Sequence, residues 1–315
     1  MDSDLIFTIL IPLFGTFLFV ALIFYIIHKE RKKNRYSPLN EKILRSPGYS
    51  LGKQIDETSY DFFSHMVLII IIPLISFYSI RDFTSPIGKS ILIFCTIVSL
   101  IWLTRKLKKQ FLKVRNLNLG CDGEVYAGQE LNYLMREGAW VYHDIPYKYG
   151  NIDHVVLSKG GIFTVETKTI RKPGNADGKK DVNVKIKGEQ IIFPHFQTSK
   201  PVKQAKLHTK YLKEKLHKKT GIEFPIFTVI ALPGWFIDHK LNDKKHGFLV
   251  INPKRGNAIK GFLQKERIPE ESLEKAVQVI EDYARSVSTK TDLSDPNAKN
   301  KYDVFFNRKA EKNEL

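Results

Sequence analysis

Residues 5–27 form a run of 23 residues without a charge, longer than the roughly 20 residues that the apolar interior of a bilayer, about 30 Å thick, requires. A stretch this apolar is expected to span a membrane. Asp2 and Asp4 precede it, whereas Lys29, Arg31, Lys32, Lys33 and Arg35 follow. Basic flanks stay in the cytoplasm, which puts the N-terminus outside; a secretory signal would carry its positive charge first and a small-residue cleavage site after. Two more apolar blocks, 62–80 and 90–103, precede Arg105, Lys106, Lys108 and Lys109. They read as a helical hairpin going out and back. Its second arm is short, because 14 residues rise about 21 Å as a helix, and an interfacial or re-entrant hairpin is the alternative. In either case the chain returns to the side it left, so a multi-pass protein of the cell membrane is expected, with the polypeptide beyond residue 109 in the cytoplasm.

The organisation that follows is a membrane helix with a basic flank over 1–35, a polar cytoplasmic linker over 36–61, the hairpin with its basic flank over 62–109, a soluble domain over 115–286 and a polar tail over 287–315. The formal charge of +17 calls for anionic partners, and position separates them: the basic residues at 29–35 and 105–109 suit anionic lipid. Cys95 and Cys121 are the two cysteines, and they form no Cys-x-x-Cys spacing, which excludes a disulfide framework and a zinc knuckle. No Gly-rich phosphate loop ending in Lys-Ser/Thr, no His-Glu-x-x-His and no Gly-x-Ser-x-Gly turn occurs.

Within the soluble part the chemistry concentrates between Gly150 and Lys168. Two β-branched apolar runs flank Ser158, Lys159, Gly160 and Gly161, a hairpin signal in which the glycines can supply positive φ. With Lys159 and Gly160 as the loop, opposing positions sum to 319, so Asp153 faces Glu166. Strand alternation puts Lys168 on the same face and His154 on the other. Carboxylates about 5 Å apart repel by about 3 kcal/mol at an effective dielectric near 20. A divalent cation between them removes that cost, and Mg²⁺ asks for one or two carboxylates with water and phosphate oxygens. The ammonium of Lys168 could orient a water or neutralise charge growing on a phosphate. A solvated acidic face with Lys168 as its counterion is the plainer reading of the same residues.

Three further features stand in order around this hairpin. Gly123-Glu124 lies in a helical pattern, Asn151, Ile152, Asp153 and His154 open the first strand, and Pro201 with Gln204 opens a later helix. Together with Gly161 to Lys168 they resemble the nuclease-related domain family, part of the PD-(D/E)xK, or restriction-endonuclease-like, superfamily, over residues 119–233. The resemblance implies an α/β fold, a restriction-endonuclease-like mixed sheet flanked by helices. It also implies that Asp153 and Glu166 are metal ligands, Lys168 the catalytic lysine, Glu124 an additional acidic ligand or water-positioning group, and Gln204 a polar residue added by the following helix. The implied cofactor is Mg²⁺ or Mn²⁺.

Expected strands lie near 140–143, 190–193, 227–232 and 248–251, with helices near 201–219 and 268–286 and a flexible insertion over 170–188. On the 201–219 helix, Lys203, Lys206, Lys210 and Lys213 recur at steps of three and four. Such a row can track a phosphate backbone, with Lys179 and Lys180 of the insertion as an opposite wall, or serve as an ordinary solvated face. Three functions compete: a membrane-anchored, divalent-metal-dependent nuclease acting on nucleic acid, DNA first; a nucleic-acid-binding module with negligible chemistry; and a membrane scaffold that binds protein. For the first, a fragment over 115–286 is expected to cleave unaided.

Overall fold

The computed structural model describes residues 42–147, 150–172, 183–237 and 247–287, with scattered positions from 14 to 29. Two compact units are present, Met1–Ile43 with Val287–Leu315, and Leu44–Ser286. In the first, the described positions within Phe17–Ile26 are helical, and the rest of the expected 5–27 span, its basic flank and the tail after 287 lie outside the described residues.

The second unit begins with two long helices, α1 (Tyr49–Ser79) and α2 (Pro86–Asn132). Each is long and apolar enough to cross a membrane, and none of the most apolar window of α1 is buried, against 6% for that of α2. A core helix of a soluble domain would bury that surface, so these helices have the composition of membrane spans. They are antiparallel arms of one hairpin, tied by a Ser76–Thr96 hydroxyl contact of 2.7 Å. Two expectations change here. Residues 49–61 are helix and not linker, because Gly48 at φ 71 is the last break before an uninterrupted run. The second arm of the hairpin, expected to close with its basic flank at 109, and the helix bearing Glu124 are one element, since α2 passes through Gly120 and Gly123 without a break.

The soluble part is a mixed five-stranded sheet in the order β9-β7-β3-β2-β1, formed by β1 (Trp140–Tyr147), β2 (Gly150–Ser158), β3 (Gly161–Thr167), β7 (Ile226–Ala231) and β9 (Leu249–Ile251). β1, β2 and β3 pair antiparallel, while β7 joins β3 and β9 in parallel. One face packs Val155, Leu157 and Ile162 under α3 (Lys200–Thr220) and α5 (Glu270–Ala284). The other packs Val156, Phe163 and Val165 against Leu131 at the end of α2, Leu134 in the turn just beyond it, and α4 (Asn257–Leu263). This is the expected α/β architecture, a mixed sheet with helices on both faces.

A smaller sheet in the order β6-β5-β4-β8 comprises β4 (Asn183–Lys187), β5 (Gln190–Phe193), β6 (Phe196–Thr198) and β8 (Phe236–Ile237). The expected flexible insertion therefore ends inside a strand: Val184 and Ile186 are buried while Lys185 and Lys187 face out, the alternation of a half-buried strand. Residues 173–182, with Lys179 and Lys180, lie outside the described residues. β6, β8 and α4 had no counterpart in the sequence reading.

Candidate active site

The β2–β3 pairing runs from Ser158 opposite Gly161 to His154 opposite Val165, the register in which positions sum to 319. Continuing it by one pair brings Asp153 and Glu166 together. The positive φ that the glycines were expected to supply sits at Gly161, φ 144. Gly160 is required for a different reason: a Cβ there would lie 1.8 Å from the carbonyl oxygen of Phe262.

Asp153 and Glu166 are both buried, and Asp153 Oδ2 accepts the Thr167 backbone N–H at 2.6 Å. Lys168 Nζ lies 3.8 Å from Glu166 Oε1, with the lysine half-exposed. Glu124 arrives from α2, and the residue before it explains how. A Cβ on Gly123 would meet Thr169 Oγ1 at 1.5 Å, so only glycine lets the helix close onto the chain just beyond Lys168. Glu124, Asp153, Glu166, Lys168 and Gln204 all line one cavity of about 710 Å³ at the end of the sheet where β2 begins and β3 ends.

Burial and mutual repulsion set the protonation of this group. Glu124 is pushed up to about 9, first by desolvation and then by Asp153, Asp144 and Glu166. Glu166 is pushed up to about 7 by burial, against the pull of Lys168. Burial and the Glu166 charge also raise Asp153 well above the usual carboxylate range. Without a cation these acids are costly to ionise together.

Two neighbours were not singled out in the sequence. Asp144 of β1 takes φ 52 and, in the β1–β2 register, falls opposite Asp153. Its carboxylate is held by Arg45 at 2.9 Å and Ser50 at 2.7 Å, so a clamp on the start of α1 extends the acidic row to a third strand. His208, one helical turn beyond Gln204 on α3, places Nδ1 at 3.2 Å from Glu166 Oε2. The contact is not aligned as a hydrogen bond, and both atoms are buried without a partner. Burial lowers His208 to about 4, so the ring is neutral, and its Nε2 meets the Tyr147 hydroxyl at 3.1 Å. The i,i+4 spacing from Gln204 was the available signal for His208; Asp144 had none without the β1 register.

His154 lies on the opposite face, as alternation requires, in a closed chain of contacts. Asn132 Oδ1 meets His143 Nε2 at 3.1 Å, the two Nδ1 atoms of His143 and His154 are 2.9 Å apart, and His154 Nε2 meets Thr167 Oγ1 at 3.1 Å. With the Asn132 oxygen turned to His143, His143 carries its proton on Nε2, His154 on Nδ1, and Thr167 donates its hydroxyl. Burial keeps both rings neutral.

Of the lysine row, Lys206, Lys210 and Lys213 pair with Glu189, Glu214 and Glu223. None of these lysines, nor the exposed Lys203, lines the cavity, although Gln204 does.

Among the described residues no three His, Cys, Asp or Glu side chains form a ready-made cage for a metal. Hard cations such as Mg²⁺ do not need one, since a pair of carboxylates suffices when water fills the remaining positions. Asp153 and Glu166, with the unpartnered Glu166 Oε2, are chemically suited to that role, and Glu124 is the third oxygen donor on the same cavity.

Paired carboxylates and a lysine at one end of a mixed sheet, lining a single cavity, define an α/β domain with its site at the strand ends. Residues 119–233 match the nuclease-related domain family. No curated protein and no solved structure matches the chain.

Proposed function

We propose that this protein is a membrane-anchored, divalent-metal-dependent hydrolase of nucleic-acid phosphodiester bonds, with its catalytic domain at the cytoplasmic face and its N-terminus outside. The observation that carries the reading is that Asp153 and Glu166, one step beyond the His154–Val165 pair, line one cavity with Lys168 and Glu124. Mg²⁺ or Mn²⁺ held by Asp153 and Glu166, with Glu124 close by, would supply Lewis-acid polarisation and a water of lowered pKa. Asp153 is held in place by the Thr167 N–H. Lys168, half-exposed at the cavity, offers its ammonium to a phosphate oxygen as charge grows there. Gln204 contributes an amide that can position water or phosphate.

The membrane part of the reading rests on α1 and α2, whose apolar windows are left unburied, and on the basic residues that follow residue 103. Because Arg45, Ser50 and the second half of α2 contribute to the site, a fragment beginning at 115 would cut α2 in mid-course and lose the clamp on Asp144. The test therefore uses the whole chain in detergent or nanodiscs. Purified protein is expected to cleave labelled DNA or RNA with Mg²⁺ or Mn²⁺ and not with chelator. Absence of cleavage across single- and double-stranded DNA and RNA with either ion would leave the alternative, a membrane-held binding module.

A further inference from the structure

The cavity extends well beyond the carboxylates. Lys109, Lys113, Asn116, Gly120 and Glu124 all line it, and their spacing of four, three, four and four marks a single face of α2. From Lys109 to Glu124 that face covers about 22 Å of helix. Opposite stand Ser50, Leu51 and Gln54 of α1, with the Leu51 side chain reaching the space left by Gly120, where a Cβ would lie 3.3 Å from it. Arg171 donates to Asn116 Oδ1 at 3.1 Å and to the Arg115 carbonyl at 3.3 Å, fixing this part of α2 beside the strand that ends in Lys168. Neither Lys109 nor Lys113 has a carboxylate partner within 4.0 Å among the described residues.

We propose that this basic wall of α2 is the site that binds the substrate's phosphates, and that its substrate is a single nucleic-acid strand or a frayed end, not a continuous duplex. The inference rests on the hydrolase reading and names the substrate class of that site. The acids at one end need a phosphodiester brought to them, and two cations on the same helix face hold neighbouring phosphates of that strand. A volume of about 710 Å³ falls in the range of pockets that enclose a small ligand, about 300–1,000 Å³. A duplex adds a second backbone and a layer of paired bases at every step, more than a cavity of this volume between α1, α2 and the sheet takes in. A single strand of a few nucleotides fits. The hairpin is thus part of the substrate-binding surface, and the lysine row on α3 is not.

The experiment measures binding of a fluorescein-labelled 12-nucleotide single strand and of the corresponding duplex, roughly the length the wall spans at 3.4 Å per stacked nucleotide with overhang on each side. Full-length protein is held in phosphatidylcholine nanodiscs with chelator, so that cleavage cannot interfere. The variants are K109Q/K113Q and the control K108Q, whose lysine does not line the cavity. Expected are tighter binding of the single strand than of the duplex, a loss of about tenfold in K109Q/K113Q, a salt slope reduced by about 1.4 for two lost phosphate contacts, and no change in K108Q. Unchanged single-strand binding in K109Q/K113Q, or duplex binding as tight as single-strand binding, overturns the proposal. So does a double variant that loses only its retention of phosphatidylglycerol vesicles, because the lysines then serve lipid. Cleavage that persists alongside unchanged binding sinks this inference and leaves the hydrolase reading standing; the expected binding pattern without cleavage under either metal does the reverse.

Discussion

The two faces of the sheet across β1, β2 and β3 bury ionisable groups to opposite ends. On one face His143 and His154 lose their positive charge to burial, and every ring nitrogen finds a partner in a chain from Asn132 to Thr167. On the other, Asp153 and Glu166 are pushed toward their protonated forms, while Glu166 Oε2 and His208 Nδ1 are left without a hydrogen bond. Alternate residues of neighbouring strands therefore build a closed network and an open one. A closed polar network contributes rigidity; an open one facing a cavity is prepared for something that is not protein.

The sharpest test of that contrast is substitution on the open side. Asp153→Asn or Lys168→Ala is expected to reduce cleavage about a thousandfold or more, while oligonucleotide affinity, read by anisotropy, changes little. On the closed side the order reverses. His154→Ala removes a fully buried ring from its network, and thermal or chemical unfolding should show a loss of about 2–4 kcal/mol. The rate per folded molecule should fall less than tenfold. If His154→Ala stops cleavage while leaving stability intact, the division between the two faces fails.

Stability against pH gives a smaller, signed effect. Glu166 and Glu124 have folded pKa values near 7 and 9, above the usual 4.5, so the folded protein binds these protons more tightly than the unfolded chain. Their contribution is complete below the unfolded value and is lost as pH rises through the folded ones. Metal-free protein should accordingly become less stable, by a few kcal/mol at most, from about pH 5 to pH 9. Added Mg²⁺ or Mn²⁺ should flatten that decline, and a slope indifferent to either ion would count against a metal on this face. The smallest effect belongs to the outer lysine row: K210Q/K213Q removes exposed pairs with Glu214 and Glu223, for which less than about 0.5 kcal/mol of stability and a twofold change in binding are expected.

Much of the hairpin could be read in advance, because Ser158 to Gly161 leaves few ways to join two β-branched runs and one register then orders Asp153, Glu166 and Lys168. The wall opposite could not. Gly120 and Gly123 each weaken a helix by about 1 kcal/mol, so the pattern around Glu124 gave no reason to join it to the basic run ending at 109. Only the close approach of Gly123 to Thr169 and of Gly120 to Leu51 shows why both are tolerated in mid-helix. Once α2 is continuous, Lys109 and Glu124 share a face, a relation hidden while they belonged to separate elements. Asp144 was hidden for a different reason, since its φ of 52 departs from the strand geometry that alternation assumes.

That unbroken helix also acts as a ruler. From Leu103, at the edge of the apolar segment, to Glu124 it advances about 32 Å and winds nearly six turns, so height and heading of the acid are set together. One residue added anywhere between them would swing the acid about 100° round the axis, away from its partners. The distance of the acid from the apolar segment can therefore change only in steps of whole turns.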